Sequence, residues 1–130
     1  MTIRYGSSKD VDLFQLAKLL SETGSSEHTG DLTRLANMVR GSTRVAWAIE
    51  HDRLIGFAAA LTDGAFSGFV SHVATNTDCQ GRGVEEALVD RLIKGQPGVT
   101  FVIRTTAETA PFYAALGFKA TSELCYARKG

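Results

Sequence analysis

Cysteine, proline and net charge are all scarce in this sequence of 130 residues. It has two Cys and two Pro, and its 14 Lys and Arg balance its 14 Asp and Glu. Cys79 and Cys125 are too far apart in sequence to indicate a disulfide framework or a zinc site, and the three His residues do not recur at metal-ligand spacing. We therefore expect no metal ion and a reducing, cytoplasmic environment.

Long apolar runs are also missing. No run approaches the roughly 20 residues that a membrane-spanning helix needs, and the N-terminal MTIRYGSSKDVDLF lacks the apolar stretch of a signal peptide. The balanced charge provides no general attraction to nucleic acid or to an anionic membrane surface. We expect neither of these as a partner.

What the sequence does contain is enough apolar residues for one folded domain over residues 1–130. Hydrophobic residues make up 44% and charged residues 22%. Hydrophobic periodicity and turn residues predict the order β-α-α-β-β-β-α-β-α-β, a mixed α/β sheet. In the first half, the predicted elements are a strand in TIRYG, a helix in SSKDVDLFQLAKLLSE with Ser8 as N-cap, a helix from Leu32 that stops at Gly41, and a hairpin that turns at His51-Asp52. In the second half, they are a strand in FSGFVSHVATN, a helix over about 84–94, a strand in VTFVIRT, a short helix in AETAPFYAALGF and a last strand in KATSELCYARK. VTFVIRT, rich in β-branched residues, is expected to be the most buried strand.

The stretch QGRG, residues 80–83, places two glycines immediately before a helical pattern. Glycine lets the backbone approach a ligand closely, and the first turn of a helix presents unpaired N–H groups at the positive end of its dipole. This combination is typical of a phosphate site. The alternative is that Gly81 and Gly83 only let the chain turn before Leu88 and Leu92 pack into the core.

Two motifs together resemble those of the GNAT superfamily of N-acetyltransferases. Gln80, Gly81, Arg82 and Gly83 fit the first four places of the family pattern Gln/Arg-x-x-Gly-x-Gly/Ala. The second motif is a Phe-Tyr pair followed by Gly-Phe, met here by Phe112, Tyr113, Gly117 and Phe118. The resemblance covers nearly the whole chain and implies a mixed, mostly antiparallel sheet flanked by helices in a single domain.

The resemblance also implies acetyl-CoA as cosubstrate and assigns residues to it. Backbone amides of the glycine turn and helix start would hold the pyrophosphate, and the end of the preceding strand would bond the pantetheine arm. The corresponding residues are Gln80, Gly81, Arg82, Gly83, Val84 and Glu85 for the pyrophosphate and Val73, Ala74 and Thr75 for the pantetheine, with Phe112 also at the cofactor.

Tyr113 matches the family tyrosine that commonly protonates the leaving thiolate. A phenol has a pKa near ~10 and is therefore protonated at neutral pH, as a proton donor must be. The alternative is that Phe112 and Tyr113 are simply the apolar face of a short helix.

The chain departs from the family pattern at the glycine turn and at the general base. Glu85 stands where the family has Gly or Ala, and its carboxylate would compete with or repel a pyrophosphate. Two outcomes stay open: Glu85 turns outward and affinity is only reduced, or the site no longer takes CoA well, with Arg82 as a possible offset. Many members carry Glu or His on the strand before the turn, where this chain has Phe69 and Ser71. His72 is the candidate base, although strand alternation directs it to the opposite face from those two. The alternatives are that His72 is a structural hydrogen-bonding residue, and that a water relay or an amine of low pKa needs no base side chain.

Three further polar residues, Glu27, His28 and Asp31, lie near the connection that borders the acceptor cleft in relatives. They are candidates for acceptor contacts, with a solvated polar loop as the alternative.

The function predicted on this basis is acetyl-CoA-dependent acetylation of a primary amine on a small molecule, by direct attack on the thioester. Two alternatives stay open, a non-catalytic acyl-CoA-binding or regulatory domain and a protein N-acetyltransferase. A homodimer also stays open as an assembly state.

Overall fold

The computed structural model describes residues 2–23 and 30–130, which form one five-stranded sheet with helices against both faces. A 3-10 helix over Thr77–Cys79 precedes the third α-helix. The strands are β1 (Arg4–Gly6), β2 (Arg44–Glu50), β3 (Arg53–Thr62), β4 (Ser67–Thr75) and β5 (Thr100–Ile103), and the helices are α1 (Leu13–Glu22), α2 (Leu32–Gly41), α3 (Val84–Ile93) and α4 (Ala110–Ala115).

The sheet is mixed and mostly antiparallel, as predicted. Its strand order is β1-β2-β3-β4-β5, in which the first four strands pair antiparallel and β5 pairs parallel to β4. A parallel pair needs a crossover connection, and α3 provides it. The glycine turn lies at the start of that crossover, directly beyond the end of β4.

Two hydrophobic cores lie on opposite faces of the sheet. Phe57 and Ala59 of β3 pack with the leucines of α1 and α2, whereas Ala58 and Ala60 pack with Leu88 of α3 and its neighbours. Side chains alternate between faces along a strand, so covering both faces makes most of β3 continuously buried. The central strands therefore form a rigid base for the turn that follows β4.

The hairpin between β2 and β3 turns at His51-Asp52, as predicted. Both residues have positive φ, 51° and 59°, which is the requirement for a type I′ turn. This turn matches the right-handed twist of the two strands and fixes their register at the tip.

The predicted start of the first helix is wrong. α1 begins at Leu13, and its N-cap is Asp12, whose Oδ1 accepts hydrogen bonds from the N–H groups of Phe14 (2.9 Å) and Gln15 (3.1 Å). Ser8 instead offers its carbonyl to Trp47 Nε1 at 3.0 Å. Aspartate and serine are comparable N-caps, so propensity alone does not choose between them.

The predictions for the C-terminal third are partly wrong. The helix α4 forms, but 119–130 forms no strand and is exposed throughout. With no strand outside it, β5 is the edge of the sheet rather than its most buried strand, and Val102 is 52% exposed. A β-branched run indicates a strand, but its burial depends on which neighbour covers it.

Candidate active site

The glycine turn owes its conformation to two residues with left-handed backbone. Gly81 and Gly83 have φ of 82° and 79°, and a Cβ on either would meet only open space. The requirement for glycine is thus conformational rather than one of close packing. The turn leads directly into α3, with Gly83 as the N-cap.

The N-terminus of α3 has unpaired backbone donors. Its first helical bond runs from Ala87 N–H to Gly83 O at 3.1 Å, so the N–H groups of Val84, Glu85 and Glu86 lie ahead of the helical ladder. Gly83 has no side chain with which to cap them. Val84 and Leu88 are meanwhile buried against the sheet. The helix therefore packs into the core and also leaves backbone donors free at its start, so its packing role is compatible with the predicted phosphate site.

Arg82 anchors this turn to the end of β2. Its two terminal nitrogens contact the two carboxylate oxygens of Glu50 at 3.0 and 2.6 Å, a bidentate pair. Hydrogen bonding from Arg82 lowers the pKa of Glu50 and overcomes the opposing effect of burial. The guanidinium of Arg82 is thus engaged by the sheet and positions the turn.

A second ion pair anchors the chain just before the turn. Arg53, at the start of β3, contacts Asp78 Oδ1 at 2.8 Å. Cys79 beside it is buried, and burial together with the Asp78 carboxylate raises the pKa of its thiol. A thiol with a raised pKa is a poor nucleophile, so Cys79 has a packing role.

The strands β4 and β5 separate where the predicted pantetheine residues begin. Their pairing ends at Val70 and Ile103, whereas β4 stays paired with β3 as far as Thr75. The β5-facing edge of residues 71–75 therefore has no strand partner in the described part of the chain. A cavity of about 390 Å³ opens at the point of separation, and it is lined by Phe69, Val70, Ser71, Arg104, Thr105 and Thr106.

The strand edge beyond this cavity carries Val73, Ala74 and Thr75. Ala74 and Thr75 are buried, and within 2–23 and 30–130 nothing hydrogen-bonds to Thr75 Oγ1. The three residues pair with β3 on one side only. Their free backbone edge can accept an extended, amide-bearing ligand as a further strand would be accepted.

A β-bulge alters the expected orientation of His72. Ala59 pairs with His72 and Ala60 with Val70, which leaves Ser71 as an extra residue in β4. Ser71 Oγ lies 2.9 Å from His72 Nδ1 and 3.3 Å from the carbonyl oxygen of Ala59. The simple alternation expected from the sequence is therefore interrupted, and His72 is linked to Ser71, which lines the cavity.

The second motif forms a compact aromatic cluster. The ring of Tyr113 packs edge-on against Phe112, with centroids 5.0 Å apart, and against Phe118 at 5.9 Å. Gly117, with φ of 95°, turns the chain so that Phe118 N–H donates to the Tyr113 carbonyl at 3.1 Å. All four motif residues thus contribute to the placement of one phenol.

The charge of Glu85 acts on the phenol of Tyr113. Burial raises the pKa of the phenol, and the negative charge of Glu85 raises it further. Glu85 is itself half-buried, and burial raises the pKa of its carboxyl group. The phenol of Tyr113 is consequently held protonated at neutral pH, close to the N-terminus of α3.

Some predicted site residues make contacts within the chain, and others lie outside the described part. Asp31 is the N-cap of α2 and accepts a hydrogen bond from Arg34 N–H at 3.0 Å. Glu27 and His28 lie outside the described residues. Gln80 is exposed at the turn. Phe112 packs against Tyr113.

The anchoring residues Glu50 and Arg53 and the cavity residue Arg104 are not predicted by the sequence patterns. Glu50 is 32 positions from Arg82, so no local pattern links the two. Arg104 directly follows the last residue of β5. Its position at the end of a predicted strand is the sequence feature that could have indicated a site residue. Among the described residues, no three His, Cys, Asp or Glu side chains are grouped as metal ligands, and none of the described helices is long and apolar enough to cross a membrane.

Comparisons with known proteins agree with this geometry. The family model described as "Acetyltransferase (GNAT) domain" matches residues 21–130. The soybean (Glycine max) protein named histone acetyltransferase TAP1 is 30% identical over 93% of this chain, which spans 58% of that relative and 53% of the related soybean TAP2.

Solved structures share the fold. A probable acetyltransferase from meticillin-resistant Staphylococcus aureus superposes with a TM-score of 0.83 at 16% identity, covering 98% of this chain and all of that one. An aminoglycoside acetyltransferase from an uncultured soil metagenomic sample, in complex with sisomicin, has a TM-score of 0.75 at 12% identity and covers 98% and 95% of the two chains. With the matched family model, the glycine turn and the separated strands, the chain belongs to the GNAT family of acetyltransferases.

Proposed function

We propose that this chain binds acetyl-CoA and transfers its acetyl group to a primary amine of a small molecule in the cytoplasm. The observation that carries the proposal is the position of the uncapped N-terminus of α3 directly after the free edge of β4. An anion-binding helix end and an open strand edge in series suit a ligand with a pyrophosphate followed by an amide-bearing arm.

The residues proposed to hold acetyl-CoA follow from that order. The backbone of the turn and of the start of α3 would hold the pyrophosphate, and the free edge of β4 would bond the pantetheine, with the aromatic cluster near the thioester. The set comprises Gln80, Gly81, Arg82, Gly83, Val84 and Glu85, then Val73, Ala74 and Thr75, and Phe112.

Tyr113 is the proposed proton donor. Acetyl-CoA supplies a thioester, whose carbonyl carbon forms a bond with the amine nitrogen while the C–S bond breaks. The protonated phenol of Tyr113 gives its proton to the departing sulfur. The raised pKa of this phenol supports the role, because it keeps the proton available at neutral pH.

His72 is the proposed general base. Its Nδ1 contacts Ser71 Oγ, and Ser71 lines the cavity where β4 and β5 separate. A proton lost by the amine can therefore reach His72 through a water molecule, or through the Ser71 hydroxyl once that hydroxyl turns away from the Ala59 carbonyl to which it donates.

A protein acceptor is the second candidate, favoured by the name of the soybean relative TAP1. A non-catalytic acyl-CoA-binding domain is the third, favoured by the carboxylate of Glu85 at the anion-binding end of α3. The neutral net charge of the chain provides no attraction to a basic histone tail, which is why the small-molecule acceptor is preferred.

One experiment separates the three candidates. Calorimetry measures acetyl-CoA binding to the full chain, and release of CoA thiol is followed with a panel of small primary amines and with lysine-containing histone peptides. We expect binding and turnover with small amines, both unaffected in the control variant Cys125→Ser. Turnover with peptides alone would favour the second candidate, and binding without turnover the third.

A further inference from the structure

We propose that Arg104 binds the carboxylate of the acceptor, so that the preferred acceptor is an α-amino acid with an apolar side chain. The inference rests on the proposed acetyl transfer and names the class of amine that the same site accepts.

Arg104 lies where β5 separates from β4. The pairing of the two strands ends at Val70 and Ile103, and Arg104 is the next residue along the chain from β5. Its guanidinium lies over the ring of Phe69, with the central carbon 5.3 Å from the ring centroid. A contact of this kind holds the charged group against the sheet. Both residues line the cavity of about 390 Å³ at the point of separation.

The donors of the Arg104 guanidinium are not used within the described part of the chain. Arg53 and Arg82 pair with carboxylates, and Arg44 donates to two carbonyl oxygens near the end of α3. Arg104, by contrast, makes neither an ion pair nor a side-chain hydrogen bond with any residue of 2–23 and 30–130. A positioned guanidinium with its donors available matches the two oxygens of a carboxylate.

The connection that follows Arg104 is held in place by its own threonines. Thr106 N–H donates to Thr109 Oγ1 at 3.3 Å, and Thr109 N–H donates to the Thr106 carbonyl at 3.2 Å. Thr105 and Thr106 line the cavity beside Arg104. The cavity is therefore bordered on this side by a hydrogen-bonded turn and by hydroxyl-bearing residues.

An exposed apolar row lies beside Arg104. Leu61 of β3 pairs with Phe69 of β4, and Phe69 pairs with Val102 of β5, so the three side chains share one face of the sheet. The contact of Arg104 with Phe69 places the guanidinium on the same face. Leu61 and Val102 are exposed to 47% and 52%. An apolar surface next to a cation suits a molecule that has both a carboxylate and an apolar side chain.

This face of the sheet is opposite to the face that α3 covers. The residues that alternate with the apolar row pack in the core with α3, and they are Val70, Phe101 and Ile103. The proposed pyrophosphate site is the start of α3. Arg104 is therefore placed for the acceptor and not for the phosphates of the cosubstrate.

The cavity also connects Arg104 to the proposed base. Ser71 lines the same cavity, and its Oγ lies 2.9 Å from His72 Nδ1. An α-amino acid carries its amine and its carboxylate on one carbon. With the carboxylate on Arg104, the amine therefore stays in the cavity, on the side of Ser71.

A pair of matched amines tests the role of Arg104. Leucine and leucinamide have the same shape, and only leucine has a charged group beside the amine. CoA release with each amine gives a ratio of kcat/KM, and comparing variants cancels the different basicity of the two amines. The ratio of leucine to leucinamide should fall at least about tenfold in Arg104→Gln. Arg104→Lys should lie between the two, because it keeps the charge and loses the planar pair of donors.

The control for net charge is Lys94→Gln, which removes an exposed positive charge at the end of α3. It should keep the parental ratio, and circular dichroism verifies that each variant is folded. Turnover with the same ratio in the parent and in Arg104→Gln would overturn the inference and leave the proposed acetyl transfer intact.

A binding measurement tests the inference if no amine is acetylated, which would be a failure of the proposed transfer. Calorimetry follows leucine binding to the full chain saturated with CoA. The parent should bind leucine at least about tenfold more tightly than Arg104→Gln does. Equal affinities, or no binding by the parent, would overturn the inference.

Val102→Thr tests the apolar part of the inference. It keeps the β-branched shape of the strand residue and replaces one methyl group by a hydroxyl group. The ratio of kcat/KM for leucine to that for glycine should fall about threefold, the effect of roughly one methyl group. The preference for leucine over leucinamide should remain, because it depends on Arg104. An unchanged ratio of leucine to glycine would show that the acceptor side chain does not lie on the apolar row.

Discussion

Tyr113 allows packing and proton transfer to be separated at the level of one hydroxyl group. Its ring contacts Phe112 and Phe118, and these contacts do not involve the hydroxyl. In Tyr113→Phe we expect acetyl-CoA affinity within a few-fold of the parent and turnover lower by about 10², the usual contribution of a general acid. Calorimetry and CoA release measure the two quantities.

The outcomes for Tyr113→Phe exclude one another. Loss of affinity and turnover together would mean that the hydroxyl holds the cosubstrate. Unchanged turnover would mean that another group or water protonates the thiolate, and Tyr113 would then be a packing residue only.

Glu85 should cost stability at neutral pH. Burial raises the pKa of its carboxyl group above the ordinary 4.5, so the protonated form is favoured in the folded state. Below pH 4.5 the group is protonated in both states and carries no penalty; as the pH rises through the folded pKa, the penalty appears. Glu85→Gln should therefore stabilise the fold at pH 7, by up to about 1 kcal/mol because solvent screens the exposed half. The gain in the free energy of unfolding should vanish near pH 4. Urea unfolding of the parent and of Glu85→Gln at pH 7 and at pH 4 measures it.

The same variant bears on ligand affinity. Removing the charge near the anion-binding end of α3 should tighten acetyl-CoA several-fold. Glu86→Gln, on the exposed neighbour, serves as the control for a general change in charge. Weaker binding in Glu85→Gln would instead show that the carboxylate makes a contact that the ligand needs.

At the scale of elements, the glycine turn depends on the pair of Arg82 and Glu50. The lowered pKa of Glu50 keeps it ionised from neutral pH down to below 4.5, and the pair is lost only as the pH falls through that lowered value. We expect Glu50→Gln and Arg82→Gln to weaken acetyl-CoA binding to similar extents, because either change releases the turn from β2. The double variant should be no worse than either single one, since coupled residues are not additive. Additive losses by calorimetry would mean that Arg82 also contacts the ligand directly.

Elements with a pattern of their own could be predicted from the sequence, and contacts between distant segments could not. Helix α2 stops at Gly41 and α3 begins after Gly83 as expected, because periodicity and capping are local. The exposure of β5, the unpaired C-terminal segment and the bulge at Ser71 depend on neighbouring strands. The pair of Glu50 and Arg82 spans 32 positions, which no local pattern covers.

At the scale of the whole molecule, acetyl-CoA should raise the melting temperature. A ligand that binds only the native state stabilises it by RT ln(1 + [L]/Kd), which is about 2.7 kcal/mol at 100 times Kd. For a domain of this size, that corresponds to an increase of roughly 10 °C. A thermal melt with millimolar acetyl-CoA measures the shift, and dephospho-CoA and free pantetheine serve as comparisons. A melt that does not change would remove the assignment of the turn to this ligand.

The two-residue turn at His51-Asp52 has a consequence for how this protein can vary. Glu50 lies immediately before the turn and Arg53 immediately after it, and these residues hold Arg82 and Asp78 on either side of the same loop. Hairpin tips usually accept extra residues, because they are exposed and distant from the core. Here an insertion would shift the two anchors relative to each other and carry the loop with them. The length of this tip is therefore under the same constraint as the glycine turn that we propose binds acetyl-CoA.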